Sequence, residues 1–107
     1  MPAAPELRVH VDRGAETFVI TVRGEVDYAD VQGFEQAWEA ADSAAMPVTA
    51  VDLTQVTFAD SMLLNALIEA RLRHRATGRE LVLIGPLRPA ISRLLTLTGA
   101  IDLFTIR

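Results

Sequence analysis

The stretch that decides the reading is Val51-Asp52-Leu53-Thr54-Gln55-Val56-Thr57-Phe58-Ala59-Asp60-Ser61. It opens on the end of the short apolar run Val48–Leu53, which has the composition of a strand shielded on both faces. It closes on a polar pair, Asp60-Ser61, followed by residues 61–77. There the apolar positions Leu63, Ala66, Leu67 and Ala70 recur at helical spacing, with Leu64, Ile68 and Leu72 forming a second stripe beside them. A buried strand thus leads through the connector Thr54–Ala59, extended at its end, into the start of a long helix. Asp60 suits the N-cap, where a carboxylate accepts from free helix N–H groups and contributes about 1 kcal/mol. Ser61, just inside the helix, admits two readings. It is part of an ordinary cap, or it is a phosphoacceptor at a helix end that tolerates added negative charge.

Outward from this junction the pattern alternates. Leu7–Asp12 carries apolar residues at period two and reads as a strand; Arg13 to Glu16 form a turn; the β-branched Thr17–Arg23 pairs back as a hairpin, with Gly24 ending it. Asp27–Ala41 changes to helical spacing, with Val31, Phe34, Ala37, Trp38 and Ala41 on one face. Ser43 to Pro47 break that helix. After Gly78, a helix stop, Leu81–Ile84 is a fourth strand and Gly85-Pro86 a turn. Pro89–Leu97 is a third helix carrying Ile91, Leu94 and Leu95, with proline in its first turn. Gly99 stops it, and Leu103–Ile106 is a last strand. The order β-β-α-β-α-β-α-β specifies an α/β domain: a mixed central sheet of four to five strands, right-handed crossovers and three main helices. Residues 1–5 read as a disordered tail and 6–107 as the domain.

Bulk composition narrows the function. The 107 residues suit one domain, and with 50% apolar residues they can fill one core. Cysteine is absent, which removes disulfides, thiolate metal sites and a cysteine nucleophile. A net charge of −4 disfavours direct DNA binding, which depends on cations neutralising phosphates. Arg71, Arg73, His74, Arg75 and Arg79 form a local basic cluster, read as a solvated helix face. No apolar run spans a bilayer, and Met-Pro-Ala-Ala-Pro lacks the blocks of a signal peptide, so no membrane contact and a cytoplasmic location are expected.

Catalytic constellations fail on spacing. His74 lies more than three turns beyond Ser61 on the same helix and cannot reach its hydroxyl, and no Gly-x-Ser-x-Gly elbow exists. His10 and His74 stand alone, each read as surface-solvated, so neither a metal nor another cofactor is implied. Neither glycine-rich nucleotide motif is present. The chain reads as a non-enzyme.

The segment Asp52-Leu53-Thr54-Gln55-Val56-Thr57-Phe58-Ala59-Asp60-Ser61 resembles the signature of STAS domains of the anti-sigma factor antagonist type, roughly Asp-Leu-Ser-x-Val-x-Phe-x-Asp-Ser. Gly24-Glu25-Val26-Asp27 resembles the family's Gly-Glu-Leu-Asp, Gly78 to Leu83 its Gly-x-x-Leu-x-Leu, and Leu94 to Phe104 its closing segment. The likeness covers essentially the whole chain, in order. It implies that Ser61 is the serine phosphorylated by a partner that is both anti-sigma factor and ATP-dependent serine kinase of the histidine-kinase-like type. It further implies that a phosphatase resets the site, and that Asp27, Asp60, Ser61, Met62 and Leu64 form the partner surface. In that scheme the unphosphorylated antagonist binds the anti-sigma factor, and phosphorylation switches it off. After the serine the family usually has a small residue and glycine, where this chain has Met62, Leu63, Leu64 and Asn65. Met62 and Leu64, read as exposed, alter the surface that a small residue and glycine leave open to a partner's backbone. The alternative is therefore a non-phosphorylated STAS interaction or scaffold subunit of a larger regulatory or lipid-transport complex.

Overall fold

The β-branched run Thr17 to Val22 alternates, sending Phe18, Ile20 and Val22 into the core. The computed structural model describes residues 9–107. The expected tail over residues 1–5, and Leu7 where the first strand was expected to begin, lie outside the described residues. The elements are β1 (Val9–Arg13), β2 (Thr17–Val26), a 3-10 turn (Tyr28–Asp30), α1 (Val31–Ala44), β3 (Val48–Ala59) and α2 (Ser61–Ala76). They are followed by β4 (Glu80–Ile84), α3 (Pro89–Leu97), a second 3-10 turn (Ala100–Leu103) and β5 (Thr105–Ile106).

The strands form one five-stranded sheet in the order β1-β2-β3-β4-β5. β1 is antiparallel to β2, and every later pair is parallel. The expected mixed sheet with three helices is therefore what the chain builds. Phe18, Ile20, Val51, Leu53, Leu81 and Leu83 join Phe34 and Trp38 of α1, Leu63 and Leu67 of α2, and Ile91 and Leu95 of α3 in one core. By strand alternation Val19, Ala50 and Val82 face the other way. Ala50 and Val82 are buried there but belong to no part of that core.

Two strands are longer than expected. Gly24 does not end β2: it takes a left-handed φ of 72° beside a register irregularity, and pairing resumes at Glu25↔Phe58 and Val26↔Ala59. Thr54–Ala59 is strand rather than connector. At an earlier irregularity, between the pairs Thr21↔Asp52 and Arg23↔Gln55, Asp52 Oδ1 accepts from both the Thr54 amide (2.9 Å) and its hydroxyl (2.7 Å). β4 pairs with β3 only over Val48 to Asp52, so the last residues of β2 and β3 run on past it as a two-stranded extension. α3 packs against β3, and Arg88 Nε donates to the Thr54 carbonyl at 3.2 Å.

The helix boundaries also shift. Residues 28–30 are a 3-10 turn held by its own caps, so α1 starts at Val31 rather than Asp27. It runs to Ala44 and ends at Ala45, which adopts φ 50° and donates its N–H to the Ala41 carbonyl. Near the C-terminus, Ala100–Leu103 is 3-10 turn, which shortens the expected last strand to Thr105–Ile106.

Candidate functional site

Parallel pairing brings the ends of β2 and β3 side by side. Val26 and Ala59 are register partners, and the Asp60 amide donates to the Val26 carbonyl at 3.2 Å. The next residue of each strand is an acidic cap. Asp27 Oδ1 accepts from the Ala29 amide at 2.9 Å while Asp30 Oδ2 accepts from the Asp27 amide at 2.9 Å, a reciprocal capping box. Asp60 Oδ1 accepts from the Met62 amide at 2.9 Å, and the Asp60 carbonyl accepts from the Leu63 amide at 3.2 Å. Both caps thus serve their own local backbone; the bond from the Asp60 amide to the Val26 carbonyl is what joins the two segments.

Ser61 is the first residue of α2 and is exposed. Asp60 already occupies two of the N–H groups of that first turn. A phosphate on Ser61 would stand next to the Asp60 cap, whose carboxylate and carbonyl already take two of the amides otherwise free to bind it. Its added charge, about −1.5 to −2, would be felt by whatever docks there more than by the fold.

The expected partner residues divide. Asp27 and Ser61 are exposed, and Asp60 and Met62 are half-buried. Leu64, expected to be exposed, is buried at 9% exposure. Its stripe lies close enough to Leu63, Leu67 and Ala70 on the helix surface to be drawn into the margin of the core. It can shape a docking surface only from beneath. Two residues not expected at the site stand out there: Tyr28 is 78% exposed directly after Asp27, and Phe58 is 56% exposed two residues before Asp60. A large aromatic side chain left in water at a polar junction is a feature of interaction sites. Phe58 was not readable: period two from the buried Val56 would turn it inward, but the register irregularity between Val56 and Phe58 leaves both Thr57 and Phe58 exposed.

The basic cluster is not a uniformly solvated face. Arg79, with only 10% of its side chain exposed, pairs with Asp42 of α1 at 2.8 Å and donates to the Ala41 carbonyl at 3.2 Å. It thereby secures the C-terminal end of α1. Arg73 reaches the same Asp42 at 3.0 Å. His74, expected at the surface, is fully buried. Its Nδ1 lies 2.7 Å from the Ala70 carbonyl and its Nε2 2.7 Å from Thr49 Oγ1. A carbonyl can only accept, so Nδ1 carries the proton and Nε2 accepts from the threonine hydroxyl. Burial lowers the His74 pKa below its usual 6.5, aided by Arg79 and Arg73 and opposed by the Ala70 bond and Asp42.

Among the described residues no group of three or more His, Asp or Glu side chains could hold a metal ion, and no helix is long and apolar enough to cross a membrane.

No curated protein sequence matches the chain. An anti-sigma factor antagonist from Mycobacterium paratuberculosis has a solved structure with 29% identity and a TM-score of 0.75, covering 92% of this chain and 82% of its own. The Bacillus cell fate determinant SpoIIAA in its phosphorylated form has a TM-score of 0.72 at 18% identity, covering 92% of this chain and 90% of its own. A variant of RsbS from Moorella thermoacetica has a TM-score of 0.78 at 21% identity, covering 94% and 86%. The last two show a shared fold. The family model described as "Mlab, STAS domain" matches residues 9–105. With that match over the sheet, all three helices and the Asp60-Ser61 junction, the chain belongs to the STAS domain family.

Proposed function

We propose that this protein is an anti-sigma factor antagonist switched at Ser61. The unphosphorylated form binds an anti-sigma factor that is also an ATP-dependent serine kinase of the histidine-kinase-like type. The docking surface comprises Asp27, Asp60, Ser61 and Met62, with Tyr28 and Phe58 as apolar contacts; Leu64, buried in the core margin, holds the first turn of α2 in place. The observation that carries this reading is an exposed serine at the first position of α2, beside two acidic caps and two exposed aromatics. In the switching step Ser61 Oγ attacks the γ-phosphorus of ATP. The new Oγ–P bond replaces the bond to the leaving ADP, and the hydroxyl proton passes to a base on the kinase. The phosphate then faces the partner with like charge at a surface that must be desolvated for binding, so the complex dissociates without refolding. A phosphatase returns the hydroxyl. SpoIIAA, a relative in fold, has been solved in a phosphorylated form. The test is incubation with the anti-sigma kinase and ATP, followed by mapping of phosphate by mass spectrometry. Phosphate confined to Ser61, and absent from Ser61→Ala, supports the switch.

A second reading is favoured by one observation: Met62 and Leu63 stand where the family has a small residue and glycine, and Leu63 is committed to the core. On that reading the chain is a constitutive interaction subunit of a larger complex. It expects Ser61→Ala and Ser61→Asp to bind the partner equally, whereas the switch expects loss in the aspartate variant alone.

A further inference from the structure

We propose that the cleft between α1 and α2 is a second docking surface, one that receives a basic amphipathic helix of a protein partner. Both helices leave the same end of the parallel strands and return along them, so they run in the same direction and leave a trough between them. The trough has a volume of about 350 Å³. From Val31 to Asp42 it is three helical turns long, about 16 Å. Phe34 and Trp38, both buried, form its floor, and the half-buried Met62 and Ala66 supply its accessible apolar surface. Its rim is acidic, with Glu35 and Glu39 on α1 and Glu69 on α2, all exposed. None of these three carboxylates has an ion-pair partner among the described residues. Among the described residues the single cation of the rim, Arg73, is held by Asp42 at 3.0 Å at the far end.

Charge complementarity selects the occupant. A segment that packs apolar side chains between the two helices must lie among the three carboxylates. An acidic or neutral segment would partly desolvate them without compensation, whereas lysines or arginines flanking an apolar stripe would meet them. An apolar stripe at i, i+3, i+4 and i+7 with basic flanks fits both the length and the sign of the trough. The inference goes beyond the Ser61 reading: only Met62 is shared between the two surfaces, so a partner could occupy the trough whether or not Ser61 carries phosphate.

Two synthetic 14-residue peptides with the same leucine stripe, one flanked by lysines and one by glutamates, test this. Trp38 is the only tryptophan of the chain and reports occupancy through its emission. Amide NMR shifts locate the contact. The lysine peptide is expected to bind with shifts confined to the facing sides of α1 and α2. Joint reversal by Glu39→Lys and Glu69→Lys should weaken it about tenfold, as two exposed attractions become repulsions. Glu39→Gln with Glu69→Gln gives a smaller loss in the same direction and serves should the reversal impair folding. Ser61→Asp should change the affinity by less than about twofold, which separates this surface from the switch. Equal binding of the two peptides, shifts located elsewhere, or indifference to both pairs of substitutions would overturn the proposal. So would a self-associated dimer that covers Trp38 and excludes the lysine peptide, for that would assign the trough to a second copy of the chain.

Discussion

His74 and Thr49 show how one buried polar pair ties α2 to the sheet. The imidazole is neutral in the fold, donating from Nδ1 and accepting at Nε2. Its folded pKa lies below 6.5, so between that lowered value and 6.5 the unfolded chain binds more protons than the folded one. Stability from this group is therefore complete above pH 6.5 and is lost as pH falls through that window. Thermal melts from pH 7.5 down to 5 should show a decline that His74→Gln flattens; equal slopes in both proteins would remove His74 as its source. Thr49→Val leaves Nε2 without a donor in the interior and should cost about 1–3 kcal/mol at pH 7.5, read by denaturant melts. This role was not legible in the sequence. A histidine among arginines looks solvated, and only folding brings it to a threonine 25 residues away.

At the scale of elements, α1 is terminated and anchored by two devices. Ala45 holds a left-handed conformation that a Cβ disfavours. Ala45→Gly should stabilise the protein by about 0.5–1 kcal/mol, seen as a higher melting temperature. Arg79 and Arg73 both bind Asp42, yet Arg79 is largely enclosed and also bonds the end of α1. Arg79→Ala should therefore cost about 1–2 kcal/mol and Arg73→Ala less than about 1. Equal losses would mean that enclosure adds nothing. Periodicity alone gave the order and type of the main elements, because Phe34-Ala37-Trp38-Ala41 and Leu63-Leu67-Ala70 can bury one side only as helices. Strand length was not legible in the same way. Gly24 reads as a stop and Thr54-Gln55 as a connector, but the ladder absorbs them through two register irregularities, one tied by Asp52 at Thr54 and one beside Gly24.

Across the whole molecule, the extension of β2 and β3 beyond β4 explains where the site lies. Two strands that end together deliver Asp27 and Asp60 to one end of the sheet, and α2 begins there with an exposed serine. Asp60 could be marked from sequence because a capping residue announces a helix start, whereas Asp27, and Ser61 as phosphoacceptor, are singled out by the family resemblance. Their meeting in space, the exposure of Tyr28 and the burial of Leu64 depend on strand register and helix rotation, which spacing alone does not fix. The central claim is that Ser61 accepts a phosphate that ends partner binding. Its most direct test is the affinity of the anti-sigma kinase for this protein before and after reaction with ATP, with phosphate mapped on the same sample. The account predicts a single phosphate on Ser61 and at least a tenfold loss of affinity, about 1.4 kcal/mol, with Ser61→Ala binding undiminished and unmodified. A kinase that binds the protein tightly yet leaves Ser61 unmodified, or a Ser61 phosphoprotein that binds as well as the free form, would contradict it.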